Sequence, residues 1–191
     1  MFDSFPSSNF VKTIKVQEEK SKKNYEKRLK WDKSIMKCLE EFETHSHCVA
    51  KKVCCILVRE DSSFNYNILS IGLNGTPSGL PNCDEIWKKS DGLWMDAKTN
   101  TYVAQDSHSK WSAINEIHAE VNAISKCNKN NISTEGTYAF ISYSPCMHCA
   151  KLLVASGVKR IVFREKYDDY EQVSKFLINN GIELLQYYKR D

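Results

Sequence analysis

The sequence predicts one α/β domain in three layers, α/β/α, with a five-stranded mixed sheet and helices on both faces. Three observations carry that reading. Two β-rich runs at 53–59 and 66–73, separated by the polar stretch Asp-Ser-Ser-Phe-Asn, form a hairpin. A strand at 137–143, a helix at 146–156 stopped by Gly157 and a strand at 158–164 form a β-α-β unit. Its two strands are then parallel, with a right-handed crossover. A helix at 168–180 before Gly181 and a last strand at 182–188 repeat the pattern.

Residues 1–17 show no sustained period and read as a mobile N-terminal arm, leaving 18–191 as the domain. From 18 to 44 the apolar residues Tyr25, Leu29, Trp31, Ile35, Leu39 and Phe42 recur at near-helical spacing. Between Lys12 and Lys37 ten Lys/Arg face four Asp/Glu, a local +6 in a chain of net charge +3, so the remainder is −3. A solvated helix face explains such a run more simply than a nucleic-acid contact. The insertion at about 84–113, with Trp87, Trp94, Tyr102 and Trp111 among polar residues, reads as irregular. An insertion that long in a compact domain is functional or buried at an interface.

At 191 residues and 22.0 kDa the chain fits a single domain with a real core. No apolar run approaches the roughly 20 residues of a membrane span, and the N-terminus lacks the form of a signal peptide. The expectation is a soluble cytoplasmic protein, in the host cytoplasm if its source is viral. Its eight cysteines then read as thiols and metal ligands.

The chemistry sits in two short motifs, N-E-I-H-A-E-V-N at 115–122 and S-P-C-M-H-C at 144–149. His118, Cys146 and Cys149 make a soft nitrogen-and-sulfur set suited to zinc, and three protein ligands leave one position for water. Glu120 lies two residues past the histidine, close enough to touch that water without occupying the metal. Such a carboxylate serves as a proton shuttle. The first motif has helical composition from Glu116, and Pro145 is a favoured first residue for a second helix. Both ligand groups then lie in first turns, where free amides and the positive dipole end favour thiolate over thiol. A closed structural knuckle needs a fourth protein ligand, which neither helix supplies.

The loop N-G-T-P-S-G-L-P-N-C at 74–83 is rigid by its Gly and Pro content. Asn74 can place its amide over the site, although Asn-Gly alone is commonly just a turn.

H-x-E followed by P-C-x-x-C is the signature of zinc-dependent base deaminases. Four stretches narrow the match: G-L-N-G-T-P-S-G from Gly72, S-H-S-K-W-S from Ser107, N-E-I-H-A-E-V-N-A-I from Asn115 and S-P-C-M-H-C-A-K from Ser144. Through them the chain, from about Cys48 to Tyr188, resembles the phage-type deoxycytidylate (dCMP) deaminases of the cytidine deaminase superfamily. The resemblance implies a cytidine-deaminase-like fold and zinc-dependent hydrolysis of dCMP to dUMP and ammonia, supplying dUMP for thymidylate synthesis. In that reaction Glu120 moves protons to ring nitrogen 3 and to the leaving amine. The resemblance assigns substrate contacts to Asn74, Tyr143 and Ser144. It also implies a second, structural zinc on Cys48, Cys83, His108 and Glu116, with His45 and His47 as rival donors. Family members are commonly homo-oligomers, often hexamers, and regulated ones bind dCTP or dTTP with magnesium. Leu73 stands where the family commonly has tyrosine, and Ser78 where cellular members often carry arginine, so effector control is left open.

Two other readings compete. S-Y-S-P-C is similar to the S-W-S-P-C of polynucleotide-editing deaminases, but these need a basic groove with stacking aromatics, and this chain outside its arm is net negative. A non-catalytic zinc module binding nucleic acid through the arm has no use for Glu120. The sequence assigns no group to the substrate phosphate.

Overall fold

The structure, a computed structural model, describes residues 8–188. In chain order it runs α1 (Ser8–Glu43), β1 (Cys54–Glu60) and β2 (Tyr66–Leu73). The insertion follows as α2 (Cys83–Ile86), β3 (Trp87–Ser90), β4 (Leu93–Asp96) and α3 (Ser107–Asn115). The chain then alternates through α4 (Ala119–Lys129), β5 (Tyr138–Tyr143), α5 (Met147–Ala155), β6 (Arg160–Glu165), α6 (Tyr170–Asn179) and β7 (Glu183–Gln186).

The main sheet has the order β2-β1-β5-β6-β7. β1 is antiparallel to both β2 and β5, whereas β5, β6 and β7 are parallel. This is the mixed five-stranded sheet expected. Successive residues of a strand point to opposite faces, and β1 is buried on both. Cys55 and Leu57 face α4, α5 and α6 through Ala123, Ile124, Leu153 and Leu177. Cys54, Ile56 and Val58 face α1 through Ile35, Met36 and Leu39. The three layers are therefore α1, the sheet, and α4 to α6.

α1 begins at Ser8, not near residue 18. No Gly or Pro interrupts the sequence between Pro6 and Gly72, and the early turns are rich in Lys, Gln and Glu, good helix formers. The backbone therefore continues where apolar spacing gives no sign; the arm before Ser8 lies outside the described residues. α1 is clamped onto the sheet by ions. Arg160 of β6 binds Asp32 bidentately at 2.8 and 2.7 Å, with Tyr66 Oη donating to the same carboxylate at 3.0 Å. Arg28 pairs with Glu60, and Arg164 with Glu43.

The insertion is more ordered than its composition suggests. β3 and β4 form an antiparallel hairpin turning at Asp91-Gly92, both with positive φ (52° and 80°). That dipeptide is the preferred occupant of such a two-residue turn. Its tryptophans do not wait for a partner subunit. Trp94 is buried and stacks on His108 at 4.2 Å with 5° between planes, and Trp87 and Trp111 pack against the same imidazole.

Candidate active site and metal centres

Residues 116–118 leave α3 in extended conformation and His118 is the N-cap of α4, so the helix opens at Ala119 and not at Glu116 as its composition suggested. The strand-like approach is held by an antiparallel bridge in which Ile117 and Gly75 exchange backbone hydrogen bonds of 2.8 and 3.2 Å. α4 lies tight on β2 because Gly72 has no side chain: a Cβ there would sit 2.1 Å from Ala119 O. Asn122 Nδ2 also donates to Leu73 O at 2.8 Å. On the neighbouring helix, Cys146 is the N-cap of α5 and Cys149 lies in its first turn. The helix thus starts two residues after Pro145, which ends the loop and does not open the helix.

These placements bring the expected ligands together. His118 Nδ1 lies 3.6 Å from Cys146 Sγ and 3.4 Å from Cys149 Sγ. With Zn–S near 2.3 Å and Zn–N near 2.05 Å, a tetrahedral centre has an N···S edge of about 3.6 Å. The triad fits zinc without rearrangement. It is graded in exposure: His118 is open, Cys146 intermediate and Cys149 buried. Such a site is closed on one side and keeps a position for a reacting group on the other.

Of the two thiols, Cys146 is the one electrostatically prepared for a cation. A hydrogen bond from Cys149 is the main cause that lowers Cys146 to about 3, and Cys149, as its donor, is pushed up. His118 is raised by its hydrogen bond with Cys146. Glu120, in the first turn of α4 and 4 % exposed, is raised by burial.

A second cluster stands beside the first. His108 Nε2 lies 3.2 Å from Cys83 Sγ and 4.0 Å from Cys48 Sγ, which is 3.6 Å from Glu116 Oε2. All three of Cys48, Cys83 and His108 are buried. Glu116 Oε1 is buried with no hydrogen-bond partner, a loose end that a cation would satisfy. Here the Cys83 thiol is the chief cause lowering Cys48 to about 7, and burial holds His108 down. His47 is instead engaged by Asp84 at 2.8 Å on the surface.

Both clusters line one cavity of about 390 Å³. Cys48, His108 and Glu116 border it on one side, and His118, Glu120 and Cys146 on another. Asn74, Tyr143 and Ser144 line it as expected, but two of them are busy. Asn74 Oδ1 accepts from Ser46 Oγ at 2.6 Å and from Val53 N at 2.8 Å, while Nδ2 donates to Lys51 O at 2.9 Å. One amide N–H is left for a ligand. Ser144 Oγ accepts from Tyr167 N at 2.7 Å and so positions that residue. Lys51, Tyr167 and Asp168 also line the cavity, and no motif marked them.

A carboxylate two residues beyond a histidine that shares its metal with two thiols of a P-C-x-x-C run belongs to the zinc-dependent deaminases. The model of the cytidine and deoxycytidylate deaminase zinc-binding region matches residues 29–165. The deoxycytidylate deaminase of Enterobacteria phage T4 is 32% identical over 167 residues, 76% of this chain and 84% of the relative. That of phage T2 is 32% identical over 161 residues, covering 73% and 82%. Among solved structures, the dCMP deaminase of cyanophage S-TIM5 in complex with dCMP and dUMP aligns with a TM-score of 0.60 at 29% identity. It covers 81% of this chain and 95% of that one. The chain belongs to the deoxycytidylate deaminase family. Among the described residues no helix is long and apolar enough to cross a membrane.

Proposed function

We propose that this chain hydrolyses dCMP to dUMP and ammonia with zinc, supplying dUMP for thymidylate synthesis. The observation that carries the reading is the half-open His118–Cys146–Cys149 triad with Glu120 buried beside it in one cavity. Zinc bound there supplies Lewis acidity that brings a water's pKa from 15.7 toward about 7. The protein does the rest. His118 and the two thiolates fix the reacting centre at the cavity wall. Glu120 takes the two protons of water in turn. The first, removed as water attacks carbon 4, goes to ring nitrogen 3. The second, removed from the hydroxyl now on carbon 4, goes to the amine as its bond to that carbon breaks, so one carboxylate serves as base and acid twice. The free N–H of Asn74, the ring of Tyr143 and the backbone around Ser144 border the space left for the nucleotide.

Cys48, Cys83, His108 and Glu116 form a second, closed zinc site that ties the insertion to the strand bearing His118. The orphaned Glu116 oxygen and the buried donor set support it. Assembly into a homo-oligomer, a hexamer by the family pattern, is supported by Tyr102 and Ile114, 61% and 84% exposed on the insertion. Eight free thiols suit a reducing cytoplasm.

The test is ammonia release by zinc-loaded protein from dCMP, dCTP, deoxycytidine, CMP and a cytosine-containing single strand, side by side. The expected result is turnover of dCMP. Turnover of the single strand alone refutes the substrate assignment. Repeating the dCMP reaction with added dCTP or dTTP and magnesium tests effector control. Glu120→Ala is expected to keep its zinc while losing at least about 10²-fold in kcat. Loss of metal in that variant, or undiminished turnover, refutes the catalytic role.

A further inference from the structure

The cavity wall holds carboxylates at Glu116, Glu120 and Asp168, and among its described lining residues the one Lys or Arg is Lys51. A nucleoside monophosphate carries about two negative charges near neutral pH, by analogy with other phosphate monoesters. Those carboxylates disfavour such a ligand, and Lys51 is the lining side chain that offers it a permanent positive charge. A neutral nucleoside meets no such penalty.

Lys51 is held at both ends. Its carbonyl accepts from Asn74 Nδ2 at 2.9 Å, within the loop that Asn74 also pins through Ser46 and Val53. Its ammonium lies over the ring faces of Tyr167 and Tyr143, 4.4 and 5.4 Å from their centroids. Tyr167 is in turn fixed by its N–H on Ser144 Oγ. Among the described residues Lys51 forms no ion pair. Cation–π contacts orient an ammonium and leave its charge uncancelled, so the lysine is positioned with its full charge for an anion.

We propose that Lys51 binds the phosphate of the substrate and makes the enzyme select nucleotide over nucleoside. Asn74, Tyr143 and Tyr167 are then positioning residues for this lysine. The inference rests on the dCMP deaminase reading, so its test includes a measurement that does not need turnover.

Wild type, Lys51→Met and Lys51→Arg, all zinc-loaded, are compared on dCMP and deoxycytidine, and for binding of dUMP and deoxyuridine by calorimetry. In Lys51→Met, kcat/KM for dCMP is expected to fall on the order of 10- to 100-fold, the worth of a charged hydrogen bond, mainly through KM. dUMP binding falls by a similar factor. Zinc content, deoxycytidine turnover and deoxyuridine binding stay at wild-type values, and Lys51→Arg keeps most of the nucleotide preference. Equal losses on nucleotide and nucleoside, or dUMP binding unchanged in Lys51→Met, overturn the proposal. Wild type that binds dUMP through Lys51 and leaves dCMP intact refutes the function reading while upholding the phosphate site.

Discussion

Gly72→Ala is expected to damage both stability and chemistry, because it pushes α4 off the sheet. The new Cβ would lie 2.1 Å from Ala119 O, 2.4 Å from Ala123 N and 3.0 Å from Ala123 Cα. All three are backbone atoms, so no rotamer change relieves the contact. Restoring an ordinary 3.4 Å contact moves helix and strand apart by about 1.3 Å. That shift breaks the buried bond from Ser70 Oγ to Ala123 O and the one from Asn122 to Leu73 O, each 2.8 Å. Overpacking of about 1–3 kcal/mol and two lost hydrogen bonds of about 1 kcal/mol each together give roughly 3–5 kcal/mol. For a chain of this size the melting temperature then drops by roughly 6–20 °C. α4 also carries His118 and Glu120, and an ångström of misplacement costs on the order of 10²-fold in rate. Thermal unfolding and dCMP turnover on matched zinc-loaded samples decide the matter. A Gly72→Ala protein with wild-type melting temperature and kcat within about twofold would falsify the close-approach argument.

The remaining expectations are more local. Asp32→Ala takes from Arg160, whose side chain is 4% exposed, its buried partner and leaves it the more exposed Glu183 at 3.1 Å, so the expected cost lies at or below the low end of about 3–5 kcal/mol. Asp32→Leu with Arg160→Met should recover most of it, and failure to recover argues that the pair does more than neutralise itself. Cys48→Ser is expected to lower bound zinc from two to one per chain in a dye-release assay, as is Cys146→Ser, with turnover abolished only in the latter. Two zinc ions retained in Cys48→Ser would remove the second site. Burial pushes the Cys54 thiol up to about 12 from an ordinary 9.0, so the folded state keeps a proton that the unfolded chain gives up. The stabilisation is complete below pH 9 and is lost as pH rises toward 12; Cys54→Ala should flatten that alkaline limb in denaturant titrations. An unchanged limb would place its origin elsewhere.

The sheet and the reacting residues were legible because their signals are local. Period-two runs, the glycines at 157 and 181 and the spacing of His118, Glu120, Cys146 and Cys149 each depend on a few neighbouring residues. Even so, Pro145 misled by two residues, since α5 is capped by Cys146 itself. The β3–β4 hairpin carries the Asp91-Gly92 signal, but its strands of four residues each are too short for their alternation to stand out from the polar residues around them. Those tryptophans were illegible for another reason: Trp87, Trp94 and Trp111 converge on His108 through tertiary packing, which no spacing along the chain expresses. Lys51 was hidden in the same way. It is one lysine among many until Tyr143, Tyr167 and Asn74 arrive from elsewhere in the chain to hold it.

The two metal-competent clusters share more than a cavity. Glu116 and His118 flank Ile117 in extended backbone, and alternate residues of such a stretch point to the same side. One three-residue strand therefore hands a ligand to each cluster, with Ile117 fastened to Gly75 between them. The insertion reaches the same strand from the opposite direction: Cys83 and His108 bracket its hairpin, and Trp94 seals the imidazole from outside. Metal in the closed cluster would thus lock the insertion to Glu116, while the Gly75–Ile117 bridge holds His118 independently of it. Removing that metal would loosen the wall of the cavity and leave the His118–Cys146–Cys149 donors in place. The expected mark of that coupling is a raised KM for dCMP ahead of any loss of the catalytic zinc.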